Sequence, residues 1–236
     1  MRHARYARRL VDKLARSLSE EGPGATFRKV LSNLANRHAP DAFDARYGVD
    51  TARVEPLWKF KIDSPNVYGR YQTRDEEEIV EALRLVGEDP RGFTFVDLGC
   101  GKGRAMIVAA NLGYKQVVGV EFADGLVKIA RTNLAKTRTS NAVVIHADAA
   151  DFVFPDGDMV VYLYNPFPQE VLRKVVANLQ KCRSSRLYVV YMMPEWTEVL
   201  DSSGFLRRFG SPEPGQCVQV WTAVPGTARE RQPANI

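Results

Sequence analysis

Short apolar runs alternate with amphipathic stretches through the middle of this 236-residue chain, and this alternation limits the fold more than any other feature. Runs that are nearly continuous in valine, leucine and aromatic residues suit strands buried on both faces, and helical spacing between them suits crossover helices. The sequence therefore predicts an α/β fold: a doubly wound, mostly parallel seven-stranded sheet with an antiparallel C-terminal hairpin and an N-terminal helical extension. The predicted strands are FTFVDL, QVVGVE, AVVIHA, MVVYLY, LYVVYM, FLRRF and QCVQVWTAV.

Helical spacing and capping residues place the helices between these strands. After Thr73, the acids Asp75, Glu76 and Glu77 stand where the positive end of a helix dipole favours them, and this helix runs to Val86. Proline is tolerated in the first turn of a helix, so Pro168 suits a helix start. The remaining predicted helices cover 104–112, 124–136, 168–181 and 195–201.

Three regions are expected along the chain. Residues 1–70 form a basic extension, with helices over 2–18 and 27–34 and an irregular stretch over 38–70, and serve as a lid or substrate segment. Residues 71–225 form the main domain. We expect a truncated protein that begins near Asn66 to keep most of the ligand affinity of this domain but to lose its activity. Residues 226–236 are expected to be disordered, since they contain little that could be buried.

The segment VDLGCGKGR connects the first strand to its helix and contains Gly99, Gly101 and Gly103. Glycines at this spacing let the backbone turn tightly and approach a ligand. A dinucleotide-binding loop needs a small residue in the position that Arg104 occupies, which argues against NAD. A carboxylate, Glu121, ends the second strand, where it can accept hydrogen bonds from ribose hydroxyls.

The loop resembles the first motif of class I methyltransferases, (V/I)DLG-x-G-x-G, and the resemblance extends from Tyr71 to about Val224. It implies S-adenosylmethionine as cofactor and S-adenosylhomocysteine as product. It also implies that Asp97 orients the loop and the methionine ammonium group and that Glu121 holds the ribose hydroxyls. The other cofactor-binding residues implied are Gly99, Gly101 and Gly103 beside the methionine and ribose, and Phe122, Asp148 and Ala149 at the adenine.

The fourth strand is followed by Asn165, Pro166 and Phe167, which resemble the acceptor motif of amine-modifying methyltransferases. These include the adenine and cytosine N-methyltransferases and the non-SET lysine methyltransferases. The resemblance implies that Asn165 orients a substrate amine beside the cofactor and that Phe167 packs on either. The nucleic-acid enzymes have a second proline that this chain lacks, and a simple turn is the alternative reading.

The stretch NVYGRYQT resembles the segment by which lysine methyltransferases bind the methionine carboxylate, and it implies this role for Tyr71 and Thr73. Packing of the tyrosine in the core and helix capping by the threonine are the alternatives.

Composition excludes few classes of protein. The three cysteines are far apart in sequence and show no pattern typical of a metal site or a disulfide framework, so we expect reduced thiols, no metal and a cytoplasmic location. No apolar run approaches the roughly 20 residues that span a bilayer. The net charge of +5 is compatible with an acidic partner or with a solvated basic surface, and the oligomeric state stays open.

Three functions are open at this point. The first is methylation of an amino nitrogen, on a protein lysine or another amine. The second is N- or O-methylation of a small molecule in specialised metabolism. The third is a nucleic-acid-binding protein that retains the cofactor fold, which the arginines and lysines of residues 2–16 suggest and a solvated helix also explains.

Overall fold

A computed structural model describes residues 40–53, 73–164, 166–210 and 217–224. These residues form seven strands and six α-helices. The strands are β1 (Thr94–Leu98), β2 (Gln116–Glu121), β3 (Ala142–His146), β4 (Met159–Tyr164), β5 (Leu187–Met192), β6 (Leu206–Arg208) and β7 (Val218–Ala223). The helices are α1 (Ala42–Tyr47), α2 (Glu76–Arg84), α3 (Arg104–Asn111), α4 (Asp124–Lys136), α5 (Gln169–Leu179) and α6 (Thr197–Asp201).

The strands form one sheet in the order β3-β2-β1-β4-β5-β7-β6. Strands β1 to β5 are parallel, whereas β7 runs antiparallel to both β5 and β6. The order reverses direction at β1, because the chain first builds outward to β3 and then continues from β4 on the other side. In an open α/β sheet, ligands bind beyond the carboxyl ends of the strands at such a switch point. The fold therefore directs attention to the ends of β1, β2 and β4.

Helices cover both faces of the sheet and divide the core into two layers. One layer packs apolar residues of α2, α3 and α4 against the sheet, including Ile79, Met106 and Val127. The other packs α5 and α6, through residues such as Leu172 and Leu200. Burial on both faces explains why the strand sequences are continuously apolar rather than alternating.

The predicted fold class is confirmed, including the antiparallel pairing of the last two strands. The bounds of β2, α4, β4 and β5 match the sequence-based expectation residue for residue. Of the acids predicted at the start of α2, Asp75 is the N-cap and forms a capping box with Glu78, in which the Asp75 amide donates to Glu78 at 3.3 Å. A buried, parallel core with helical crossovers leaves few other ways to arrange these segments.

One stretch differs from expectation, because residues 38–70 were predicted to be irregular and the structure contains α1 within them. The Asp41 side chain caps the helix by accepting from the Asp44 amide at 2.8 Å, and Gly48, with φ of 66°, ends it. A six-residue helix is too short to show a clear apolar period, so only its caps could have predicted it. The helices expected over 2–18 and 27–34, the loop of the final hairpin and the tail 226–236 lie outside the described residues. Of the helices described, none is both long and apolar enough to cross a membrane.

Candidate functional site

The glycine-rich loop joins β1 to α3 at the switch point of the sheet. Gly99, Gly101 and Gly103 all have left-handed φ angles, of 76°, 55° and 85°, which explains why glycine occupies each position. A Cβ atom at Gly99 would also lie 2.7 Å from Cβ of Pro166, so the loop and the segment after β4 touch at a residue without a side chain. The loop is held to the neighbouring strand because the Gly99 and Cys100 amides both donate to the Val120 carbonyl.

Glu121 ends β2 and holds this loop from the side. Its carboxylate is 4% exposed, and its two oxygens accept from the Gly101 and Ala123 amides, each at 2.9 Å. Burial raises the pKa of Glu121, and these amides oppose that shift by favouring the charged form. Each oxygen has a second lone pair, so the carboxylate can still accept from the ribose hydroxyls predicted as its ligands. The ribose-binding role of Glu121 is a prediction from the sequence. The hydrogen bond from the Gly101 amide, which holds the loop, is found only in the structure.

Asp97 lies in β1, opposite Gly119 of β2 and Tyr162 of β4 in the strand register. It is 4% exposed, and burial together with the nearby charge of Glu121 raises its pKa to about 8. A buried acid with a raised pKa marks a place where a ligand cation would be attracted, since an adjacent cation favours the ionised form. The ammonium group predicted for this position has that charge.

One pocket joins residues that are far apart in sequence. Three parts of the predicted site line it: the adenine end, the glycine-rich loop and the acceptor motif. The lining residues are Phe122, Asp148 and Ala149 from the first, Gly99 from the second, Pro166 and Phe167 from the third, and also Val120, Ala147 and Val171. Asp148 accepts from the Ala150 amide at 2.9 Å through Oδ1, which leaves Oδ2 without a hydrogen bond among the described residues. It can therefore accept from an exocyclic amine. Asn165 and Tyr71 lie outside the described residues.

A set of buried charges beside the loop was not predicted. The Arg104 side chain is 1% exposed, and it donates to Thr51 at 2.7 Å and contacts Asp41 and Asp44 at 2.5 and 3.3 Å. Its guanidinium also lies 4.6 Å from the centre of the Phe43 ring. A buried arginine needs such partners, since desolvation of an unpaired charge is costly. Arg104, the residue that argues against NAD in the sequence, thus binds side chains of a second chain segment.

Lys102 repeats this pattern from the other side of Gly103. Its side chain is fully buried, and Nζ donates to Asp50 at 2.8 Å and to the Arg53 carbonyl at 2.9 Å. Asn133 of α4 completes the junction, because its amide group bonds to the backbone of both Asp50 and Lys102. Residues 41–53, which we name the clamp segment, therefore bind the cofactor loop directly. The only sequence signal was two cations within the loop and three acids some 50 residues earlier.

Thr73 and His146 make local contacts near the site. Thr73 is half-buried, and its hydroxyl lies 3.5 Å from the Arg74 carbonyl, so capping of α2 is not its visible role. His146 is exposed, and its Nε2 lies 2.9 Å from the Phe122 carbonyl, a contact that joins β3 to the segment after β2. Within the described ranges, no group of three or more histidine, cysteine or acidic residues could hold a metal ion.

Parts of the chain are similar to known proteins. Residues 95–184 match a family model described as a methyltransferase domain. A ribosomal protein L11 methyltransferase of Clostridium perfringens is 35% identical over 119 residues, covering 46% of this chain and 37% of the relative. One from Photobacterium profundum is 28% identical over 97 residues, covering 41% and 33%. The chain thus spans about a third of the length of the curated relatives it matches.

Solved structures with a similar backbone include a putative RNA methyltransferase from Pyrococcus horikoshii, with a TM-score of 0.49 and 20% identity over 72% of this chain and 94% of that one. A ribosomal protein L11 methylase from Lactobacillus delbrueckii subsp. bulgaricus has a TM-score of 0.47 and 17% identity, covering 63% of this chain and 79% of the other.

Proposed function

We propose that this chain, which contains a class I S-adenosylmethionine-dependent methyltransferase domain, transfers the cofactor's methyl group to an amino nitrogen of a protein or another amine. The observation that carries the proposal is the shared pocket. Pro166 and Phe167, from a motif typical of amine-modifying enzymes, line it together with Asp148 from the predicted adenine site. An acceptor held by the segment after β4 would therefore lie beside the bound cofactor.

The chemistry asks little of the protein beyond positioning. The methyl group of the sulfonium is already activated, so the rate depends on in-line approach of a nucleophile with a free lone pair. In this proposal Asp97 binds the methionine ammonium, Glu121 the ribose and Asp148 the adenine amino group. Asn165 accepts a hydrogen bond from the acceptor amine and aims its lone pair at the methyl group.

A nitrogen acceptor suits the residues around the site better than an oxygen acceptor. A hydroxyl nucleophile is assisted by a general base, whereas an amine bound in its neutral form already has a free lone pair. A lysine acceptor must lose a proton from a group with a pKa near 10.4, and apolar surroundings favour the neutral amine. The aromatic side chains of Tyr164 and Phe167 at the end of β4 would supply such surroundings. The name of the L11 methyltransferase relatives supports a protein as one acceptor.

The test is to incubate the full chain with methyl-labelled S-adenosylmethionine and fractionated cell lysate and to locate the label by mass spectrometry. We expect label on an amino group of a protein or small molecule, with Glu121→Ala as the control that shows the transfer depends on this site. Label on a hydroxyl or carboxylate oxygen would overturn the proposal for nitrogen while leaving the cofactor in place.

Asn165 provides a second test, aimed at the acceptor. Misaligned attack costs on the order of 100-fold in rate, so we expect Asn165→Ala to slow single-turnover transfer by about this factor at saturating cofactor. Affinity for S-adenosylhomocysteine should change little. A wild-type rate in this variant would reduce the Asn-Pro-Phe motif to a turn after the strand.

A further inference from the structure

Strand β3 lies at one end of the sheet, and its outer edge is open. Its inner edge pairs with β2, and within the described ranges no strand pairs with the other edge. The Ala147 amide, just after β3, donates to the Glu121 carbonyl of β2. Because alternate residues of a parallel strand point their backbone groups to the same side, those of Ala142, Val144 and His146 point away from β2. An open edge of this kind can pair with another extended chain.

A side chain of α4 covers part of this edge. The Arg131 guanidinium donates to the outward Val144 carbonyl at 2.8 Å. The outward amides of Ala142, Val144 and His146 have no hydrogen-bond partner in the part of the chain that the structure describes. Charged side chains on an edge strand commonly keep other strands from pairing with it. Arg131 must therefore leave the carbonyl before another strand can pair along the whole edge.

A groove between α4 and β3 runs beside the edge and has apolar walls. Leu134 and Ala135 of α4 line it together with Val143 and Val144 of β3. Val144 packs in the core layer that contains residues of α4, so Val143, its neighbour in the strand, faces the opposite side of the sheet. Val143 is 45% exposed, although the other valines of the parallel strands are buried. A strand added at this edge would cover it.

The α4 side of the groove is basic. Arg131 and Arg138 both line it. Arg138 follows the end of α4 with φ of 54°, a left-handed conformation for which glycine is the usual residue at this place. Asp124, at the start of the same helix, is paired with Lys128 at 2.6 Å. Among the described residues no carboxylate forms an ion pair with either arginine, so their charge complements an acidic ligand.

We propose that the open edge of β3 is a docking site for an extended acidic segment of a partner protein, which adds to the sheet as a further strand. Its main chain pairs with the outward backbone groups of β3, and every second side chain is a carboxylate that faces Arg131 and Arg138. When the segment binds, one of its amides takes the Val144 carbonyl and Arg131 turns to a carboxylate. The side chains in between are apolar and cover Val143. In this mode of recognition the main chain supplies affinity and the alternate side chains supply specificity.

A protein segment fits this edge better than a nucleic acid, although both carry negative charge. Only a polypeptide has a row of amides and carbonyls that matches the outward groups of β3. Single-stranded nucleic acids are commonly held by aromatic side chains on which their bases stack, and the described lining of the groove contains none. The inference does not depend on the cofactor or the acceptor, because neither Arg131 nor Arg138 lines the candidate cofactor pocket.

The test follows the backbone amide NMR signals of the isotope-labelled full chain during titration with short blocked peptides. The probe alternates valine with glutamate, a second peptide has glutamine in place of every glutamate, and a third carries proline at its centre. We expect the glutamate peptide to shift the signals of Ala142, Val144 and His146 and to slow the exchange of these amides with solvent. The glutamine peptide should bind about tenfold more weakly, the effect of two exposed ion pairs, and the proline peptide should not protect the amides.

Substitutions in the protein test the charge separately from the strand. In the double variant Arg131→Gln/Arg138→Gln we expect the glutamate and glutamine peptides to bind within about twofold of each other. Arg173→Gln replaces an exposed arginine of α5 that does not line the groove, and this matched control should keep the preference for glutamate. The double variant should bind S-adenosylhomocysteine as the wild-type protein does.

Each contrary outcome overturns a stated part of the proposal. If the glutamate peptide shifts none of the β3 amides up to its solubility limit, there is no docking site at this edge. Equal protection of the amides by the proline peptide would overturn strand addition, and an unchanged preference for glutamate in the double variant would overturn the role of the arginines. Tighter binding of a single-stranded oligouridylate at the same signals would assign the groove to nucleic acid and overturn the protein partner.

Discussion

We propose that the carboxylates at the strand ends carry most of the cofactor recognition, and burial of one of them, Asp97, lowers the stability of the fold. Its folded-state pKa of about 8 lies far above the ordinary aspartate value. Between about pH 4 and pH 8 the folded protein therefore keeps a proton that the unfolded chain has released. Because the native state binds more protons in this window, stability falls as the pH rises and levels off above pH 8.

Asp97→Asn should remove this pH dependence. We expect the variant to gain on the order of 3–6 kcal/mol in free energy of unfolding at pH 8, since each pKa unit corresponds to about 1.36 kcal/mol. It should also lose affinity for S-adenosylhomocysteine. Urea unfolding at pH 5, 6.5 and 8 measures the first effect, with exposed Asp151→Asn as the control. If the free energy of unfolding of the variant depends on pH as steeply as that of the wild-type protein, the proton is bound by a group other than Asp97.

Glu121 accepts from two backbone amides, and we propose that it also accepts from the ribose hydroxyls of the cofactor. Glu121→Ala removes the acceptor of two backbone amides and of the ribose hydroxyls, each charge-assisted bond being worth roughly 1.5–3 kcal/mol. We expect at least tenfold weaker binding of S-adenosylhomocysteine by calorimetry and a lower melting temperature. Unchanged affinity in a variant with a lowered melting temperature would leave Glu121 as a support of the loop alone.

At the scale of elements, the strands and crossover helices could be predicted because each is specified by its own residues. β2 and β4 are apolar runs that are buried on both faces, and Asp75 and Glu78 cap α2 through local contacts. The clamp segment could not be predicted, because Arg104 and Asp44 are 60 residues apart and nothing local pairs them.

The clamp segment should contribute to stability through Arg104 and Asp44. Arg104→Gln leaves buried Asp44 without its cation, and removal of one partner from a buried pair costs roughly 3–5 kcal/mol. Asp44→Asn should destabilise comparably, and the double variant should be destabilised by less than the two single effects added together. Denaturant unfolding of all three proteins tests this, with exposed Arg173→Gln as the control. Additive effects would mean that the two residues act independently.

At the scale of the whole molecule, the contacts of residues 41–53 revise where the cofactor domain begins. The sequence-based boundary at residue 71 assigns these residues to the extension, yet Lys102 and Arg104 beside the glycines find their partners there. We therefore propose that the domain begins near Asp41. The role of residues 1–70 as a lid or substrate segment stays a prediction.

Two truncations separate these boundaries. A chain that begins at Asp41 keeps the contacts described above for the clamp segment. We therefore expect cooperative thermal unfolding and an affinity for S-adenosylhomocysteine close to that of the full chain. A chain that begins at Asn66 lacks the acidic partners that Lys102 and Arg104 have in the clamp segment, and it should lose cooperative unfolding. Normal cofactor binding by the shorter chain would restore the boundary at residue 71.

We propose that the edge where β1, β2 and β4 end holds S-adenosylmethionine rather than a dinucleotide. Isothermal titration of the full chain with S-adenosylhomocysteine and with NAD tests it most directly. We expect saturable one-site binding of S-adenosylhomocysteine. NAD should bind at least a hundredfold more weakly, a difference of about 2.7 kcal/mol, because Arg104 stands where the dinucleotide loop needs a small residue. Tighter binding of NAD, or no binding of S-adenosylhomocysteine by the folded protein, would contradict it.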